Sequence, residues 1–570
     1  MSSESDLLPP YDPYALRPTF LDRHADAVAA GAVFLFTVVL GVVAFPPYGA
    51  PEAAYAMLVP GIFWAYTRPS LKLYAWTLGA AQAVAWTILL GWLHHVTWVG
   101  LFLLGPFVGL WIGTWYLAAW WTMPRMLGQP TLTRLVAMIG LAAGWVLIEW
   151  TRTWFLTGFP WLPLAASQWQ RTSILQVAAY TGSYGISFVL VAVNIGFAAY
   201  AHRLFREGAT GFNKRSQEFF LALFLLLGCL CVHFQDAFGR YRYQEPFARV
   251  AFVQPDIPQD VKWDPAKAPA IVKVLQDTTL AAAATEPDLI LWPEASTPWA
   301  VRGDPSVKAF VESLAARAHC PLLLGSIAIE NSGRPDEKWF NSAFVVSPNV
   351  GVQHDYYSKR HLVPFGEYVP LRPLLGWISK FVPIGGDFMP GQDSSPLIVR
   401  LKGEPVVFGP LICYEDVFPQ LARRSVLAES SVLTVLTNDA WYGESGAAYQ
   451  HAAHSVLRAV ETRRPVLRCG NAGWSGWIDE FGAIRALLTR DTQGRIQTDP
   501  RLADKGSVYF RGTATITVMH DTRWVNRQTF YVRHGDWFVA LCAGLAALGV
   551  AVLLLAKPAA PLPSPTESDS

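Results

Sequence analysis

The sequence predicts two structural parts: an α-helical membrane domain of eight spans, and an α/β domain inserted before the last span. Three observations lead to this prediction. Hydrophobic residues make up 52% of the 570 residues and charged residues only 15%, against roughly 25% charged in soluble domains. The first part of the chain contains long uncharged stretches. After residue 245, short apolar runs alternate with helical patterns. The length alone also indicates more than one domain.

The composition excludes several classes of protein. A mean hydropathy of +0.26 rules out a disordered chain and argues against a wholly soluble one. The net charge is +2, and the sequence has no dense Lys/Arg face with interleaved aromatic residues, so we expect no nucleic-acid partner. Six cysteines without a Cys-x-x-Cys pair form neither a disulfide framework nor a zinc cluster. We therefore expect no metal and no other cofactor.

Uncharged segments predict the membrane spans, because lipid offers the backbone no hydrogen-bond partners and about 20 apolar residues are needed to cross it. No Asp, Glu, Lys or Arg occurs in residues 73–124 or 172–202, and residues 27–67 contain only Glu52. Residues 537–556 are also uncharged and form the predicted eighth span. The seven spans predicted before residue 236 are at about 27–46, 52–67, 73–92, 98–121, 134–150, 173–201 and 218–235.

The distribution of Lys and Arg predicts the orientation of these spans. The first 26 residues are polar and do not look like a cleavable signal peptide, so the first span should remain as an anchor with residues 1–26 in the cytoplasm. Residues 27–235 then form the membrane domain, residues 236–536 lie outside the cytoplasm, and the Pro/Ser-rich residues 557–570 form a disordered cytoplasmic tail. The cations of the inside loops are Arg17, Arg23, Arg68, Lys72, Arg125, Arg134, Arg203, Arg206, Lys214, Arg215 and Lys557.

The helical part has two possible roles. It can be a simple anchor, or it can form a lipid-handling floor beneath the outer domain. The loop that runs from Glu149 through Arg152 to Gly158-Phe-Pro-Trp161 contains several aromatic residues together with a glycine and a proline. This composition is unusual for a segment that only connects two helices. Because binding and catalytic residues often lie on loops, a functional role for this loop is as plausible as a passive one.

The outer domain shows the pattern of an α/β fold. Alternation of strand-length apolar runs with helical patterns predicts a layered core of sheets and helices. Helices are predicted at about 265–284, 305–318, 417–429 and 446–463. Strands are predicted at 249–254, 288–292, 321–325, 343–346, 406–408 and 431–436.

Reactive residues follow three of these runs. Glu294 comes directly after an apolar strand, at the rim where α/β sheets bind ligands. Residues 356–370 form a loop shaped by two prolines and several aromatic rings, and this loop carries Lys359 and Glu367. Cys413 ends a third run, with a helix expected just after it, which would lower the pKa of its thiol. Taken alone, the pattern at Cys413 is more typical of a buried, inert cysteine.

The three groups together fit one kind of chemistry. A thiolate nucleophile needs a base to accept its proton, and the oxyanion formed at an attacked carbonyl needs a cation or hydrogen-bond donors. Glu294 can supply the base, Lys359 the cation and Cys413 the nucleophile. The outer domain has only three cysteines, Cys320, Cys413 and Cys469, so at least one thiol remains free unless it bonds another chain.

These motifs resemble a known family. Trp-Pro-Glu294, Tyr-Ser-Lys359-Arg-His-Leu and Ile-Cys413-Tyr-Glu are similar to the Glu-Lys-Cys triad of the nitrilase (carbon–nitrogen hydrolase) superfamily. The longer string from Lys359 to Leu371, with seven spans before the domain and one after, resembles the apolipoprotein N-acyltransferases. Further agreements are Lys262-Trp-Asp, Gly158-Phe-Pro-Trp, Tyr184-Gly-Ile-Ser-Phe, Leu436-Thr-Asn-Asp-Ala-Trp and Gly535-Asp-Trp.

The resemblance implies a nitrilase-like αββα sandwich and a ping-pong acyl transfer. Cys413, activated by Glu294, would attack a membrane phospholipid, with phosphatidylethanolamine as the expected donor, to form a thioester. The α-amino group of the diacylglyceryl-cysteine of an apolipoprotein would then accept the acyl chain. Lys359 and the backbone N–H of Tyr414 would stabilise the oxyanions. The resemblance also implies a monomer in the bacterial cytoplasmic (inner) membrane with its catalytic domain on the periplasmic face.

Four further residues match positions that line the site in this family. Glu367 is expected to orient Lys359 or the incoming amine, and Trp263, Tyr414 and Glu415 are expected to bind or orient substrate. Ordinary packing or surface polarity is the alternative for each of the last three. His451 and His454 lie three residues apart on a predicted helix, but without a neighbouring carboxylate motif a metal site there is not expected.

One segment departs from the family pattern. Trp474 and Trp477 stand where smaller apolar residues are usual, which would change the volume near the acyl site and with it the chain-length and headgroup preference. Alternatively, both rings pack in the core.

Two rival functions remain. A membrane-tethered amidase or nitrile hydrolase would use the same triad with water as acceptor, although it would not need a floor of several spans. A transporter or receptor with an outer binding domain would need polar groups within its spans, and the long uncharged stretches offer few.

Overall fold

A computed structural model describes residues 24–205, 215–237, 239–376 and 388–556. The N-terminal residues 1–23, with Arg17 and Arg23, and the tail predicted at 557–570 lie outside the described residues, as do Arg206 and Lys214. Nine helices precede the first strand in the described part. They are α1 (Ala25–Val43), α2 (Val59–Ala65), α3 (Leu71–Leu89), α4 (Trp98–Met126), α5 (Thr131–Thr151), α6 (Thr172–Leu175), α7 (Ala178–Thr181), α8 (Ser183–Phe205) and α9 (Gln217–Ala237).

Six helices of the described residues are long and apolar enough to cross a membrane. Five of them, α1, α4, α5, α8 and α9, correspond to predicted spans, and the sixth is the last helix, α16 (Trp537–Leu555), within the predicted span at 537–556. The helix α3 has 19 residues and covers most of the third predicted span. The structure therefore has several apolar helices, with six rather than eight candidates for crossing.

Two predicted spans are not continuous helices. The segment at 52–67 divides into a 3-10 turn, Pro51–Tyr55, and the short α2, because Pro60 lacks an N–H and can be accommodated only in the first turn of a helix. The segment at 173–201 contains α6 and α7 before α8, with a break at Gly182, whose φ is +69°. Left-handed backbone of this kind is accessible to glycine and ends a helix.

After the first strand the described residues form seven helices, α10 to α16, of which the first six belong to the outer domain and α16 is the last span candidate. They are α10 (Ala268–Ala283), α11 (Pro305–Ala318), α12 (Arg372–Leu375), α13 (Pro419–Leu427), α14 (Ala447–Thr462), α15 (Phe530–His534) and α16. The four helices predicted in this region correspond to α10, α11, α13 and α14, each within a few residues. The predicted membrane segment 27–235 begins two residues after the start of α1 and ends two residues before the end of α9. The predicted last span, 537–556, begins with α16 and ends one residue after it.

Sixteen strands occur in the described residues. They are β1 (Gln244–Gln254), β2 (Leu289–Leu291), β3 (Leu322–Glu330), β4 (Lys338–Ser347), β5 (Gly351–Val352), β6 (Tyr357–Ser358), β7 (Leu397–Leu401), β8 (Glu404–Ile412), β9 (Val432–Thr437), β10 (Val466–Gly470), β11 (Gly476–Ile478), β12 (Ile484–Leu487), β13 (Thr489–Asp491), β14 (Ile496–Gln497), β15 (Gly506–Ser507) and β16 (Gly512–Asp521). All six predicted strands are present.

Two large sheets face each other to form the sandwich. The first has the order β16-β1-β2-β3-β4-β5, with β6 paired to β4, and the second has the order β12-β11-β10-β9-β8-β7. The pairs β1–β2 and β2–β3 in the first sheet and β8–β9 and β9–β10 in the second are parallel. The pairs β16–β1, β3–β4, β7–β8 and β10–β11 that flank them are antiparallel. Alternate side chains such as Phe252, Phe408 and Leu436 fill the space between the sheets. The predicted αββα sandwich is confirmed.

The two outer layers of helices have different surroundings. On the first sheet, α10 and α11 pack through residues such as Leu275 and Val311. On the second sheet, α13 and α14 belong to one apolar core that continues without interruption into the membrane helices. Every residue of α14 except the partly buried Tyr449 is buried. The outer domain is therefore joined to the membrane helices by a shared core rather than by a flexible linker.

Gln450 on α14 shows how closely the two parts fit. Its side-chain oxygen accepts hydrogen bonds from the indole N–H groups of Trp92 and Trp161, both at 2.9 Å. Its amide nitrogen donates to the carbonyl oxygens of Pro46 and Leu89, at 3.1 and 3.0 Å. Since all four partners belong to the N-terminal part of the chain, this one buried amide connects the outer sandwich to three segments of the helical part.

The crossing of α5 and α16 gives a testable prediction. A Cβ added to Gly140 would lie 2.7 Å from the Cα of Gly549, whereas one added to Gly144, one turn away, would meet no atom within 4 Å. Small residues let membrane helices approach closely, and overpacking costs about 1–3 kcal/mol. We expect Gly140→Val to lower the melting temperature in detergent by several degrees, measured by intrinsic fluorescence. Gly144→Val is the matched control, and equal losses in both would contradict this packing.

Candidate active site

Cys413 stands at a strained turn directly after β8. Its φ is +51°, and a short 3-10 helix, Cys413–Val417, begins at the same residue. A left-handed conformation at a non-glycine residue costs on the order of 1–3 kcal/mol, so the surrounding contacts must hold it in place. The side chain is 5% exposed. Strain at a buried cysteine is the kind of feature that active sites retain.

Glu415 holds this turn against the loop that carries Lys359. Its carboxylate is fully buried and accepts hydrogen bonds from the backbone N–H of Ile412 and from the Tyr357 hydroxyl, both at 2.7 Å. It also accepts bonds from the backbone N–H groups of Arg360 and His361, at 2.7 and 3.2 Å. Glu415 therefore fixes the backbone on both sides and does not offer its carboxylate to the exterior.

Glu294, Lys359 and Glu367 meet beside the cysteine. The Lys359 ammonium nitrogen lies 3.5 Å from Oε1 of Glu294 and 2.9 Å from Oε1 of Glu367. The Lys359 side chain is 1% exposed and that of Glu294 8%. The predicted contact between Glu367 and Lys359 is thus present, and three of the motifs found along the sequence come together in one buried cluster.

The electrostatics of Cys413 differ from the prediction. Burial raises the pKa of its thiol above the ordinary value, the nearby Glu294 charge raises it further, and the Lys359 charge opposes both. The prediction of a lowered pKa was wrong because burial and the neighbouring carboxylate charge outweigh the Lys359 charge. The thiol is therefore neutral at rest and ionises only when its proton is taken by a neighbouring group.

Lys359 is charged at rest, in contrast to the neutral Cys413 thiol. Burial alone would lower its pKa, but the charges of Glu367 and Glu294 outweigh burial and raise the pKa above the ordinary value. The side chain therefore remains an ammonium throughout the pH range in which proteins are stable. It can stabilise negative charge, but it cannot act as a base.

Asn341 was missed by the sequence analysis. Its side-chain nitrogen donates to Oε1 of Glu294 at 2.7 Å and to Oε1 of Glu367 at 2.9 Å. The residue lies on β4, and its side chain points to the end of the sheet that carries Glu294. The same strand also carries the polar residues Lys338, Ser342 and Ser347, so no local pattern in the sequence distinguished this amide.

A second buried cluster supports the backbone of Cys413 from behind. Nε2 of His451 lies 2.9 Å from Oδ1 of Asp416 and 3.2 Å from the Cys413 carbonyl oxygen, and Nδ1 lies 2.9 Å from Oδ1 of Asp439. Arg468 pairs with both aspartates, at 3.1 and 3.2 Å. Two basic side chains, His451 and Arg468, thus face two carboxylates.

The two histidines of α14 differ in charge. Burial alone would lower the pKa of His451, but the two aspartates outweigh it and raise the pKa above the ordinary value. Burial lowers the pKa of His454, and its Nε2 accepts a hydrogen bond from the backbone N–H of Leu162 at 3.3 Å. His451 is therefore a charged donor and His454 a neutral acceptor. No group of three potential metal ligands occurs among the described residues.

The remaining predicted residues lie around this centre. Tyr414 is buried, and its hydroxyl donates to the Gly158 carbonyl oxygen at 3.1 Å. The ring of Phe159 stacks near that of Tyr414, with centroids 6.3 Å apart. The loop that begins at Glu149 therefore contacts the nucleophile turn directly. Trp263 is 44% exposed, and its neighbour Lys262 is 3% exposed with its ammonium 3.2 Å from the Glu294 carbonyl oxygen.

Trp474 and Trp477 both pack in the interior. Trp474 is fully buried in the core shared with the membrane helices, and Trp477, on β11, belongs to the core between the sheets. Of the two interpretations of these tryptophans, a changed acyl site or simple packing in the core, both rings fit core packing. All six cysteines are free, so Cys413, Cys320 and Cys469 are unpaired.

Comparison with known proteins identifies relatives across both parts of the chain. Residues 249–510 match the model of carbon-nitrogen hydrolases, and residues 38–196 match that of the N-terminal domain of apolipoprotein N-acyltransferases. Two relatives named apolipoprotein N-acyltransferase come from Geobacter metallireducens and Methylococcus capsulatus. The first is 35% identical over 72% of this chain and 73% of its own, and the second is 31% identical over 79% and 86%.

A solved structure was also compared with the chain. The amidase from Nesterenkonia sp. AN1 superposes with a TM-score of 0.35 at 14% identity, covering 52% of this chain and 99% of its own.

The His451 cluster predicts a pH dependence of stability. Because its folded pKa lies above the unfolded value of about 6.5, the stabilisation is complete below pH 6.5 and is lost as the pH rises through the folded pKa. We expect His451→Asn to destabilise the protein by about 3–5 kcal/mol at pH 6 and to flatten the melting temperature between pH 6 and 9. His354→Asn, at a side chain 91% exposed, should leave that profile unchanged. A wild-type profile that is already flat would refute the pairing.

Proposed function

The chain belongs to the apolipoprotein N-acyltransferase family, and on that premise we propose that Cys413, Glu294 and Lys359 perform its acyl transfer. The donor is a membrane phospholipid, which we propose to be phosphatidylethanolamine. Glu294 takes the thiol proton, and the sulfur attacks the ester carbonyl carbon. The carbon–sulfur bond forms, the ester carbon–oxygen bond breaks, and the proton on Glu294 passes to the glycerol oxygen of the departing lysophospholipid.

The second half-reaction returns the enzyme to its starting state. The free α-amino group of the diacylglyceryl-cysteine on the apolipoprotein attacks the thioester carbon. The nitrogen–carbon bond forms, the carbon–sulfur bond breaks, and the proton lost by the amine passes through Glu294 to the Cys413 sulfur. Conversion of a thioester to an amide runs downhill, so the step needs no ATP.

The observation that carries this proposal is the buried contact of Lys359 with Glu294 beside the Cys413 thiol. The charges restrict the possible roles. Lys359 stays an ammonium and cannot accept the proton, which leaves Glu294 as the base and Lys359 as the group that stabilises the oxyanions. We propose that the backbone N–H of Tyr414 is the second donor to those oxyanions.

The residues around the triad receive supporting roles in this proposal. Glu367 holds the Lys359 ammonium at 2.9 Å, and Glu415 fixes the two loops relative to each other. Tyr414 and the half-exposed Trp263 line the approach for the acyl donor. Because Cys413 is 5% exposed, water has little access to the thioester, and exclusion of water favours the amine as acceptor over hydrolysis.

We also propose the membrane arrangement. The six apolar helices, α3 and the broken α2 segment together give eight crossings, within residues 27–235 and 537–556. Residues 1–26 and 557–570 lie in the cytoplasm, and residues 236–536 lie on the periplasmic face of the bacterial inner membrane. The Lys/Arg bias of the loops supports this orientation. We propose that the protein acts as a monomer.

The first half-reaction predicts a covalent adduct. When the purified protein is mixed with phosphatidylethanolamine vesicles and no acceptor, we expect one acyl chain on Cys413, detected by intact-protein mass spectrometry. Cys413→Ala should carry none, and Glu294→Gln should form the adduct at least 100-fold more slowly, since general-base catalysis contributes roughly 10²–10⁴-fold. The buried Cys320 serves as the control, because Cys320→Ala leaves the site intact.

Addition of a diacylated lipopeptide tests the second half-reaction. The adduct should disappear as N-acylated peptide forms. Release of free fatty acid without N-acyl peptide would instead make the protein a hydrolase, and absence of any adduct on reduced Cys413 would contradict the thioester mechanism.

The orientation predicts which surfaces a membrane-impermeant reagent can reach. Val350 is 79% exposed in the outer domain, so a cysteine at this position should react with an impermeant maleimide in cells whose outer membrane has been permeabilised. Wild-type protein provides the background from its own six cysteines. Labelling of Val350→Cys only after disruption of the inner membrane would place residues 236–536 in the cytoplasm and refute the arrangement.

A further inference from the structure

Lys262 is a second buried lysine of the site that the proposed mechanism does not use. It lies in the loop after β1, and its side chain is 3% exposed. Its ammonium donates to the backbone carbonyl oxygen of Glu294 at 3.2 Å and lies 5.7 Å from the centre of the Trp263 ring. Its charge acts on both the Glu294 carboxylate and the Cys413 thiol. The residue is thus near the base and the nucleophile without pairing with a carboxylate.

The charges in this cluster explain what a second cation can do there. Two carboxylates, Glu294 and Glu367, face the single ammonium of Lys359. Without another cation the buried cluster carries a net negative charge, which opposes ionisation of the Cys413 thiol. Asp439 adds to this opposition, because its charge also raises the thiol pKa. A buried carboxylate without a compensating cation is costly, and so is a thiolate formed beside it.

We propose that Lys262 balances the second buried carboxylate and thereby lowers the cost of forming the Cys413 thiolate. With its ammonium present, Lys262 and Lys359 together match Glu294 and Glu367, and the resting site is neutral. Transfer of the thiol proton to Glu294 then keeps the total charge at zero. Lys262 acts through the nucleophile and its base and is therefore a positioning residue. This inference rests on the proposed role of Cys413 as nucleophile.

The state of Lys262 depends on pH in the physiological range. Burial lowers its pKa to about 8, although the Glu294 and Cys413 charges oppose that change. Below pH 8 the ammonium is present, and above it the neutral amine predominates. The electrostatic stabilisation of the Cys413 thiolate by Lys262 should therefore decrease as the pH rises through 8. Lys359 does not titrate there, because Glu367 and Glu294 keep its pKa high.

The test measures Cys413 ionisation in two independent ways on the full-length protein in detergent. The first is the rate of Cys413 alkylation by iodoacetamide from pH 6 to 10, followed by mass spectrometry. The second is the initial rate of acyl-enzyme formation from phosphatidylethanolamine over the same range. The variants are Lys262→Met, which removes the charge, and Lys262→Arg, which keeps it at all these pH values. Lys273→Met, at an exposed lysine of α10, is the matched control.

We expect Lys262→Met to slow both reactions at pH 7 by at least tenfold and to raise the apparent pKa of Cys413 alkylation by one unit or more. Wild-type acylation should decline above pH 8, Lys262→Arg should keep its rate through pH 9, and Lys273→Met should follow the wild type. Equal rates and equal pH profiles for wild type and Lys262→Met would overturn the inference, as would a decline at pH 8 that persists in Lys262→Arg.

The two readouts separate this inference from the proposed function. If wild-type protein alkylates Cys413 with the expected dependence on Lys262 but never forms an acyl-enzyme, the proposed function fails and the electrostatic role stands. If the acyl-enzyme forms at the same rate in all variants, the proposed function stands and the role of Lys262 fails. If Lys262→Met does not fold, as judged by thermal unfolding, the comparison of Lys262→Arg with wild type above pH 8 still decides.

Discussion

The geometry of the site depends on the buried carboxylate of Glu415, which joins the turn of Cys413 to the loop of Lys359. Cys413 and Lys359 follow strands of different sheets, since β8 belongs to the second and β6 to the first, and β6 and β8 are not paired with each other. Glu415 accepts bonds from Ile412 on one side and from Arg360 and His361 on the other. Hydrogen bonds to a charged carboxylate are stronger than bonds between neutral groups, so Glu415 holds the two loops together at the candidate site.

The membrane helices hold the same turn from a third direction. Arg152, at the end of α5, donates to the carbonyl oxygens of Phe159 and Trp161, and the Gly158 carbonyl oxygen in that loop accepts the Tyr414 hydroxyl. Tyr414 directly follows Cys413. The loop between α5 and α6 is therefore more than a connector, and the site is fixed in position relative to the helices that would lie in the bilayer. For a reaction between lipid substrates, such a fixed position replaces the movement that a soluble enzyme would need to reach its substrate.

The sequence predicted the parts of the structure that local patterns determine. Strands such as β8 and β9 and helices such as α14 follow apolar periodicity, and Glu294, Lys359 and Cys413 follow the ends of strands, so their meeting could be anticipated. Asn341 and the ion pairs of His451 depend on contacts between residues far apart in the chain, which no local pattern reveals. The lowered pKa expected for Cys413 was wrong for the same reason, because burial is a property of the whole fold. The breaks near Pro60 and at Gly182 were overlooked because hydropathy registers apolar length and not backbone geometry.

A thiol with a raised pKa is consistent with acyl transfer in a buried site. A permanent thiolate would gain nucleophilicity but would add an unpaired negative charge beside Glu294, at a high cost in a buried position. In the proposed mechanism the proton passes from Cys413 to Glu294 only when the carbonyl carbon is in reach, and the Lys359 ammonium is already in place to receive the oxyanion. The stabilising charges are thus built into the fold before substrate binds, and the barrier falls because little has to reorganise when the reaction occurs.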